Sequence, residues 1–591
     1  MPAKKLFKST RGRAAPVTDA VNEAGGVAYQ YSDKHALAQL AMTGTLPDGG
    51  TFYTSGHGEL DKMVELANKL DPLYVAKTAV YARENGGMKD APALLLASLT
   101  TQDEGRDWFR KAFGRVVTSG KMLLGFTQIM RSGAAGRKSM GTVPRKAIRD
   151  WIRSRSGDTL FGDSVGGHTK GGVSLGDVLK MVHPTPRNAA ERAIYAYVIG
   201  RREADFEALT QPPFDAELAP QWDALPKSVL AYEAFKASLA TDKAAPLPKY
   251  VRWEFLTALP LKEAHWRQLA LRGGWRQTLK NLNTYSRQGV FKDAAAAKAI
   301  ADRLRDKEAI QEKVKPFPYE IMTAYDYVKD AVPEVVRDAL HDAMNLATSN
   351  LTEIEGTLMI APDLSGSMNT PVTGYRGSAT TKATCMDIAA LCAALMYKRN
   401  SGSQVLPFAD DVFNVRLERR DSILTLAARI RTAGSGGTCV SAPLAQVNRA
   451  NQKVNRIILL SDNESWVDSR GRTRPRTNWS GARGKGTELL RQFNALRQRV
   501  PDARMVCLDL CPYATTQAPE GDEAILNIGG WSNAVWKVIT DFLNHGIRPG
   551  EAPKSDAKKD VTVWVDEIEA VNLDAPVKGT HGFKEAEVAS E

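Results

Sequence analysis

Residues 357–370 limit the fold more than any other part of this chain. An apolar run, Leu358-Met359-Ile360-Ala361-Pro362, stops at Asp363-Leu364-Ser365-Gly366-Ser367. A short apolar run bounded in this way reads as a buried strand, and Asp-x-Ser-x-Ser at its carboxyl end puts one carboxylate and two hydroxyls on a single loop. Open α/β sheets carry their ligand sites at that edge. Hard divalent cations such as Mg²⁺ or Mn²⁺ take oxygen ligands in near-octahedral array and keep several waters. Two later stretches offer further oxygens. Gly434-Ser435-Gly436-Gly437-Thr438 is a flexible loop ending in a hydroxyl, and Arg456-Ile457-Ile458-Leu459-Leu460-Ser461 is a second buried-strand pattern ending on Asp462. The competing reading is a serine-rich turn with two unrelated loops. The order of the three elements, each behind a strand or a glycine loop, favours the metal.

Asp363, Ser365, Ser367, Thr438 and Asp462 together resemble the metal-ion-dependent adhesion site of a von Willebrand factor A domain. The resemblance implies one divalent cation, Mg²⁺ or Mn²⁺, as cofactor. The surrounding text alternates between strand and helix patterns: strands over 357–361, 404–408, 456–461 and 504–510, and helices over 381–399, 423–431, 486–500 and 531–543. That alternation is a doubly wound α/β sheet. Gly434 to Gly437 lacks the spacing and the strand–glycine–helix setting of a dinucleotide fingerprint, and no Walker lysine accompanies it. No catalytic residue is assigned. Two-metal nuclease chemistry needs several clustered carboxylates, whereas Asp363 and Asp462 with three hydroxyls are too few anions, and no Ser-His-Asp or Cys-His set stands out.

At 591 residues the chain is long enough for two or three domains. Its net charge is +12, and residues 1–350 hold nearly all of the excess, about 50 basic against 39 acidic side chains. A polyanionic partner, nucleic acid or an anionic membrane, follows from that balance. No segment approaches the ~18 uninterrupted apolar residues of a membrane span, and the basic start, 1–16, has no apolar core and reads as a disordered arm. The five cysteines (Cys385, Cys392, Cys439, Cys507, Cys511) all fall in the second half. An odd number without framework spacing argues for reduced thiols and a cytoplasmic protein.

From 17 to 347 the text is helical almost throughout, with apolar residues at three- and four-residue spacing over 34–42, 59–70, 72–85, 91–99 and 106–117. Many short amphipathic helices with short turns suggest stacked antiparallel pairs, an irregular HEAT-like α-solenoid. Its most basic part, 106–155, holds 13 Lys and Arg. There Arg145, Arg149 and Arg153 recur at four-residue spacing and so share one helix face, with Lys146 beside them, while Ile148, Trp151 and Ile152 turn toward the core. A flexible basic loop with Arg131, Arg137 and Lys138 precedes that helix. The alternative is a solvated arginine stripe. Trp253, Trp266 and Trp275 lie in a second basic stretch, where helical spacing favours packing over base stacking.

Several stretches of this half resemble the TROVE module of the Ro autoantigen family, whose bacterial members are known as Ro sixty-related proteins: Gly25-Gly26-Val27-Ala28-Tyr29, Gly49-Gly50-Thr51-Phe52-Tyr53, Arg145-Lys146-Ala147-Ile148-Arg149-Asp150-Trp151, Val182-His183-Pro184 and Lys315-Pro316-Phe317-Pro318. Gly437-Thr438-Cys439 and Leu460-Ser461-Asp462-Asn463-Glu464-Ser465-Trp466 resemble that family's A domain. The resemblance spans about residues 17–545. It implies a monomeric ring of helical repeats closed by the A domain, not itself a catalyst. It further implies small noncoding Y-like RNA on an outer surface, single-stranded ends of misfolded RNA in the central hole, and an exoribonuclease as a protein partner. No membrane is implied. Arg145, Lys146, Arg149 and His183 fall on motif positions near the RNA surface. The chain departs from the family between Trp151 and His183, where a basic helix is replaced by a stretch rich in Gly, Asp and Ser.

The domains expected are therefore a basic arm (1–16), the helical RNA-binding module (17–347), the A domain (348–548) and a charged, disordered tail (549–591). An Arg- and Gly-rich loop over 469–483 reads as mobile and able to reach RNA, and residues 561–565 as a strand for a sheet edge. A second class of function stays open: a metal-dependent adhesion or assembly scaffold that holds no RNA.

Overall fold

The computed structural model describes residues 15–43, 53, 56–164, 172–207, 219–241, 245–328, 330–372, 383–467, 486–511, 513–546 and 563–575. The arm before residue 15 and the loop over 469–483 lie outside the described residues. An all-helical array is followed by a parallel α/β domain. The array begins with the helices Asp33–Thr43, Gly56–Lys69, Pro72–Glu84, Asp90–Leu99 and Gly105–Val116 and ends with Pro318–Val328 and Glu334–Ala347. Their bounds match the apolar spacing within a few residues: Gly105–Val116 buries mainly one face, with Phe109, Ala112, Phe113 and Val116, whereas Asp90–Leu99 is buried all round from Ala91 to Leu99. Capping fixes several of the ends. Asp71 accepts from the Leu73 N–H with Pro72 in the first turn, and Ser174 and Asp177 form a reciprocal capping box before Leu175–Val182.

The helical reading fails at the start of the array. Residues 20–30 form a hairpin, β1 (Ala20–Val21) and β2 (Val27–Gln30), turned through Gly25 at φ +85°. Two such short strands carry little periodicity of their own. Their pairing is non-local, since β2 also lies antiparallel to Thr515–Thr516, nearly 500 residues away.

The main sheet of the second domain comprises β3 (Leu358–Pro362), β4 (Ser403–Val405), β5 (Arg456–Ser461), β6 (Arg504–Asp509) and, after the short β7 (Thr515–Thr516), β8 (Ile525–Gly529). The order is β4-β3-β5-β6-β8, every pairing parallel. From β3 the chain adds β4 on one side and then crosses to add β5 on the other. The winding therefore reverses between β3 and β5, and a crevice opens at their carboxyl ends. β3 and β5 are buried along their whole lengths, as strands covered on both faces must be. β8 and the helix Ala442–Arg449 were not read from the sequence. Ile525-Leu526-Asn527-Ile528-Gly529 carries a buried Asn whose amide donates to the Ala518 carbonyl (3.0 Å), and that polar break masks the run.

Both ends of the helical array meet this domain. At the start, β2 pairs with β7, and the Ser532 hydroxyl donates to the Asn85 carbonyl (2.8 Å). At the end, Tyr319 packs edge-on against Trp531 (centroids 4.4 Å apart), and Lys398 reaches Asn345. The chain thus closes on itself through the α/β domain.

The tail departs from expectation. Val563–Glu569 is a helix, not an edge strand, and the stretch through residue 575 is ordered against the array. Val-Trp-Val reads as strand-like alternation. As a helix the same stretch buries Trp564, Val565 and Ile568 together, and Lys34 and Lys77 hold the Glu569 side chain and carbonyl. The five cysteines are free thiols, with the sulfurs of Cys385 and Cys511 3.3 Å apart.

Candidate metal centre and nucleic-acid interface

The crevice between β3 and β5 brings the candidate metal residues together. Asp363 leaves β3 with its N–H bonded to the Leu460 carbonyl (2.9 Å), which fixes it beside the end of β5. Its carboxylate accepts from the Ser365 N–H (2.8 Å) and from the Ser461 hydroxyl (2.6 Å). The hydroxyls of Ser365 and Ser367 lie 3.3 Å apart. The glycine loop is drawn in by a bridge between Ser365 and Gly436 and a bond from the Gly366 N–H to the Gly436 carbonyl (3.2 Å). Thr438 follows two residues later, and its carbonyl accepts from the N–H groups of Trp466 and Val467. Asp462 closes the set, one oxygen accepting from the Glu464 N–H (3.2 Å).

All five side chains are buried. Burial pushes the Asp363 carboxyl up to about 7, with the neighbouring Asp462 adding to the effect, and burial raises Asp462 in turn. Burial and the Asp462 charge push Glu464 up to about 9, and Asp509, on the next strand, is raised by burial as well. When ionised, four acids buried in one crevice repel each other, so the site favours anything that brings positive charge. The second oxygen of Asp462 is buried without a hydrogen-bond partner. An orphaned carboxylate oxygen facing a hydroxyl-rich loop fits a hard cation. Among the described residues no group of three or more His, Cys, Asp and Glu is arranged to hold a metal, so a cation here would rest on hydroxyls and two carboxylates.

One contributor was not foreseen as part of this site. Tyr53, from the glycine-rich stretch of the helical module, stands beside Ser367, and its phenol is raised to about 12 by burial and by the charges of Asp462 and Glu464. Its ring meets Tyr513 edge-on at 5.5 Å. The Gly49-Gly50-Thr51-Phe52-Tyr53 motif marked this stretch, but only the chain closure brings it to the crevice.

The basic helix forms as expected, over Thr142–Arg153. Ile148, Trp151 and Ile152 are buried, and Arg145 and Lys146 are exposed. Arg145 and Lys146 pair with no acidic group among the described residues. The rest of the arginine stripe is engaged. Arg149 donates to the Val182 carbonyl and Arg153 to the Thr185 carbonyl (3.1 Å), tying the helix to the turn that carries His183. His183 caps Leu175–Val182 in the left-handed region (φ 47°) and is itself exposed. In the preceding loop Arg131 and Lys138 are exposed, whereas Arg137 donates to the carbonyls of Thr100 and Ser139 (each 3.0 Å). Beside Lys146 a cleft of about 560 Å³ opens, with Arg110, Phe113 and Trp151 in its walls. Arg110 was not singled out by the sequence because its spacing belongs to another helix.

Comparison with known proteins agrees with this two-part build. Residues 357–543 match the family model described as the Ro60 vWA domain. Over 571 residues the chain is 25% identical to the RNA-binding protein RO60 of Deinococcus radiodurans, covering 91% of this chain and 99% of that one. The crystal structure of the Deinococcus radiodurans RO (RSR) protein superposes with a TM-score of 0.54 at 20% identity, across 87% of this chain and 99% of the other. No helix among the described residues is long and apolar enough to cross a membrane. Residues 357–543 are thus an A domain of the Ro60 type, and the likeness to the Deinococcus radiodurans protein runs through both modules.

Proposed function

We propose that this protein binds structured noncoding RNA, Y-like in kind, on the outer basic face of its helical module (17–347) and takes single-stranded RNA ends into a central opening. It would act as a noncatalytic ribonucleoprotein scaffold or quality-control factor, with an exoribonuclease as a candidate partner. The A domain (348–548) would hold one Mg²⁺- or Mn²⁺-class ion through Asp363, Ser365, Ser367, Thr438 and Asp462. The observation that carries the RNA reading is the near full-length likeness to a protein named for RNA binding, matched by cations left uncommitted at the expected place. Arg145, Lys146 and His183 are exposed on adjoining elements. Arg149, Arg153 and Arg137 shape that face through carbonyl bonds, and Arg131 and Lys138 extend it.

A salt-titrated mobility shift tests the face. Each phosphate contact releases condensed counterions, giving a slope of about −0.7 per contact on single strands and −0.9 on duplex in log affinity against log salt. Changing Arg145 and Lys146 together to Ala should weaken binding of structured RNA and flatten the slope by about one to two units. A double variant that melts normally and keeps the wild-type salt dependence removes this face from the RNA site.

The noncatalytic reading has its own check. Among the described residues no group of three or more His, Cys, Asp and Glu is arranged to hold a catalytic metal, so labelled single-stranded RNA incubated with protein and Mg²⁺ should stay intact. Cleavage that disappears in Asp462→Ala would make the A domain a nuclease.

A further inference from the structure

The loop that carries Asp462 is held from its far side by the other module. Residues 462–467 link two of the candidate metal ligands: Asp462 opens the loop, and Trp466 and Val467 close on the Thr438 carbonyl. Between them Asn463 sits in the left-handed region (φ 60°), which asparagine enters more readily than other non-glycine residues, and its surroundings hold the loop there. Those surroundings are the hairpin of the helical module. The Asn22 amide donates to the Ser465 carbonyl (2.7 Å), and the Ala24 N–H donates to the Glu464 carboxylate (2.9 Å). Gly26 lies so close that a Cβ there would stand 1.9 Å from the Ser465 carbonyl oxygen. Gln517, beside β7, bridges the two parts by donating to the Asn463 carbonyl (3.2 Å) and the Val27 carbonyl (3.4 Å). Tyr53 makes the second crossing, from the helical module to Ser367.

We propose that the metal site is the joint that closes the chain. Tyr53 supplies the oxygen that faces the site from the helical module, and the β1–β2 hairpin grips the ligand loop in the form that holds the cation. Cation binding and closure of the helical module onto the A domain then strengthen each other. This rests on the metal reading above and goes beyond it: the partner oxygen comes from within the chain, so the cation sets how firmly the chain is closed. The linkage is reciprocal, since whatever the cation adds to hairpin docking, the docked hairpin adds to cation affinity.

The experiment uses the full chain and Mn²⁺ alone as the probe. Calorimetry gives the affinity of wild type, Asn22→Ala and Tyr53→Phe, and hydrogen exchange follows the amides of 20–30 and 515–518 with and without the ion. Mn²⁺ should slow exchange in both segments of wild type by about tenfold or more, and each variant should bind Mn²⁺ about 5- to 50-fold more weakly, within the range of site-to-site couplings. Protection of β3, β5 and β6 serves as the fold control, and Tyr53→Phe removes one oxygen while keeping the ring. Wild type that takes up no Mn²⁺ overturns the metal reading and this proposal with it. Wild-type uptake with unchanged exchange in the hairpin, and wild-type affinity in both variants, overturns the coupling while leaving the metal site in place.

Discussion

Asp363→Ala is expected to abolish divalent-cation uptake while the helical module stays folded. The substitution removes one of the two carboxylates at the head of the crevice and leaves the cation three hydroxyls and Asp462. Losing a group that merely orients a ligand already costs 10- to 100-fold in metal affinity, so losing a carboxylate ligand should exceed about 100-fold. Two effects on the unliganded protein oppose each other. The Ser365 N–H and the Ser461 hydroxyl lose their acceptor, which costs about 1–3 kcal/mol for buried donors. Against this, Asp462 loses a like-charged neighbour in a buried site. The thermal midpoint without metal should therefore move little. In wild type, saturating ion at about 100 times its dissociation constant adds ~2.7 kcal/mol, and that metal-dependent rise should vanish in the variant. Calorimetry and a melting curve with and without Mg²⁺ read both quantities. An Asp363→Ala protein that binds the ion as tightly as wild type removes this carboxylate from the site.

The candidate crevice was legible in the sequence because each of its parts is local. Asp363, Ser365 and Ser367 share one loop, Thr438 ends a glycine run, and Asp462 ends a strand, so strand ends alone bring them to one edge of the sheet. The helix faces were legible for a similar reason, since Ile148, Trp151 and Ile152 declare their burial by spacing. Local pattern does not give the use of a side chain. Arg149 and Arg153 share a face with Arg145, yet their guanidiniums are spent on the carbonyls of Val182 and Thr185, in a turn some 30 residues away. Tyr53 and the 20–30 hairpin were missed for the opposite reason. Nothing in either stretch refers to the A domain, and their roles exist only once the chain has closed.

The C-terminal segment gives the second large effect, because one side chain holds most of it in place. Trp564 is fully buried and stands edge-on to His35 (centroids 5.3 Å apart), which itself stacks on Tyr31 at 4.3 Å. The remaining apolar anchors are Val565, Ile568 and Leu573. The polar contacts are weaker. Lys34–Glu569 and Lys111–Asp574 are each about half in solvent, where an ion pair contributes about 0–1 kcal/mol. Arg115 adds a bond to the Asn572 carbonyl while its bidentate pairing to Glu84 lies inside the array. Replacing a buried Trp by Ala costs about 3–5 kcal/mol, more than those pairs together restore. Trp564→Ala should therefore release residues 563–575 as a unit and leave the array folded, since Arg115 and Glu84 keep each other. Hydrogen exchange should show lost protection over 563–570 and at the Asp33–Thr43 helix, with β3 and β5 unchanged. A variant whose 563–570 amides stay as protected as in wild type would mean that the ion pairs and Ile568 suffice, and that the helix docks by charge more than by burial.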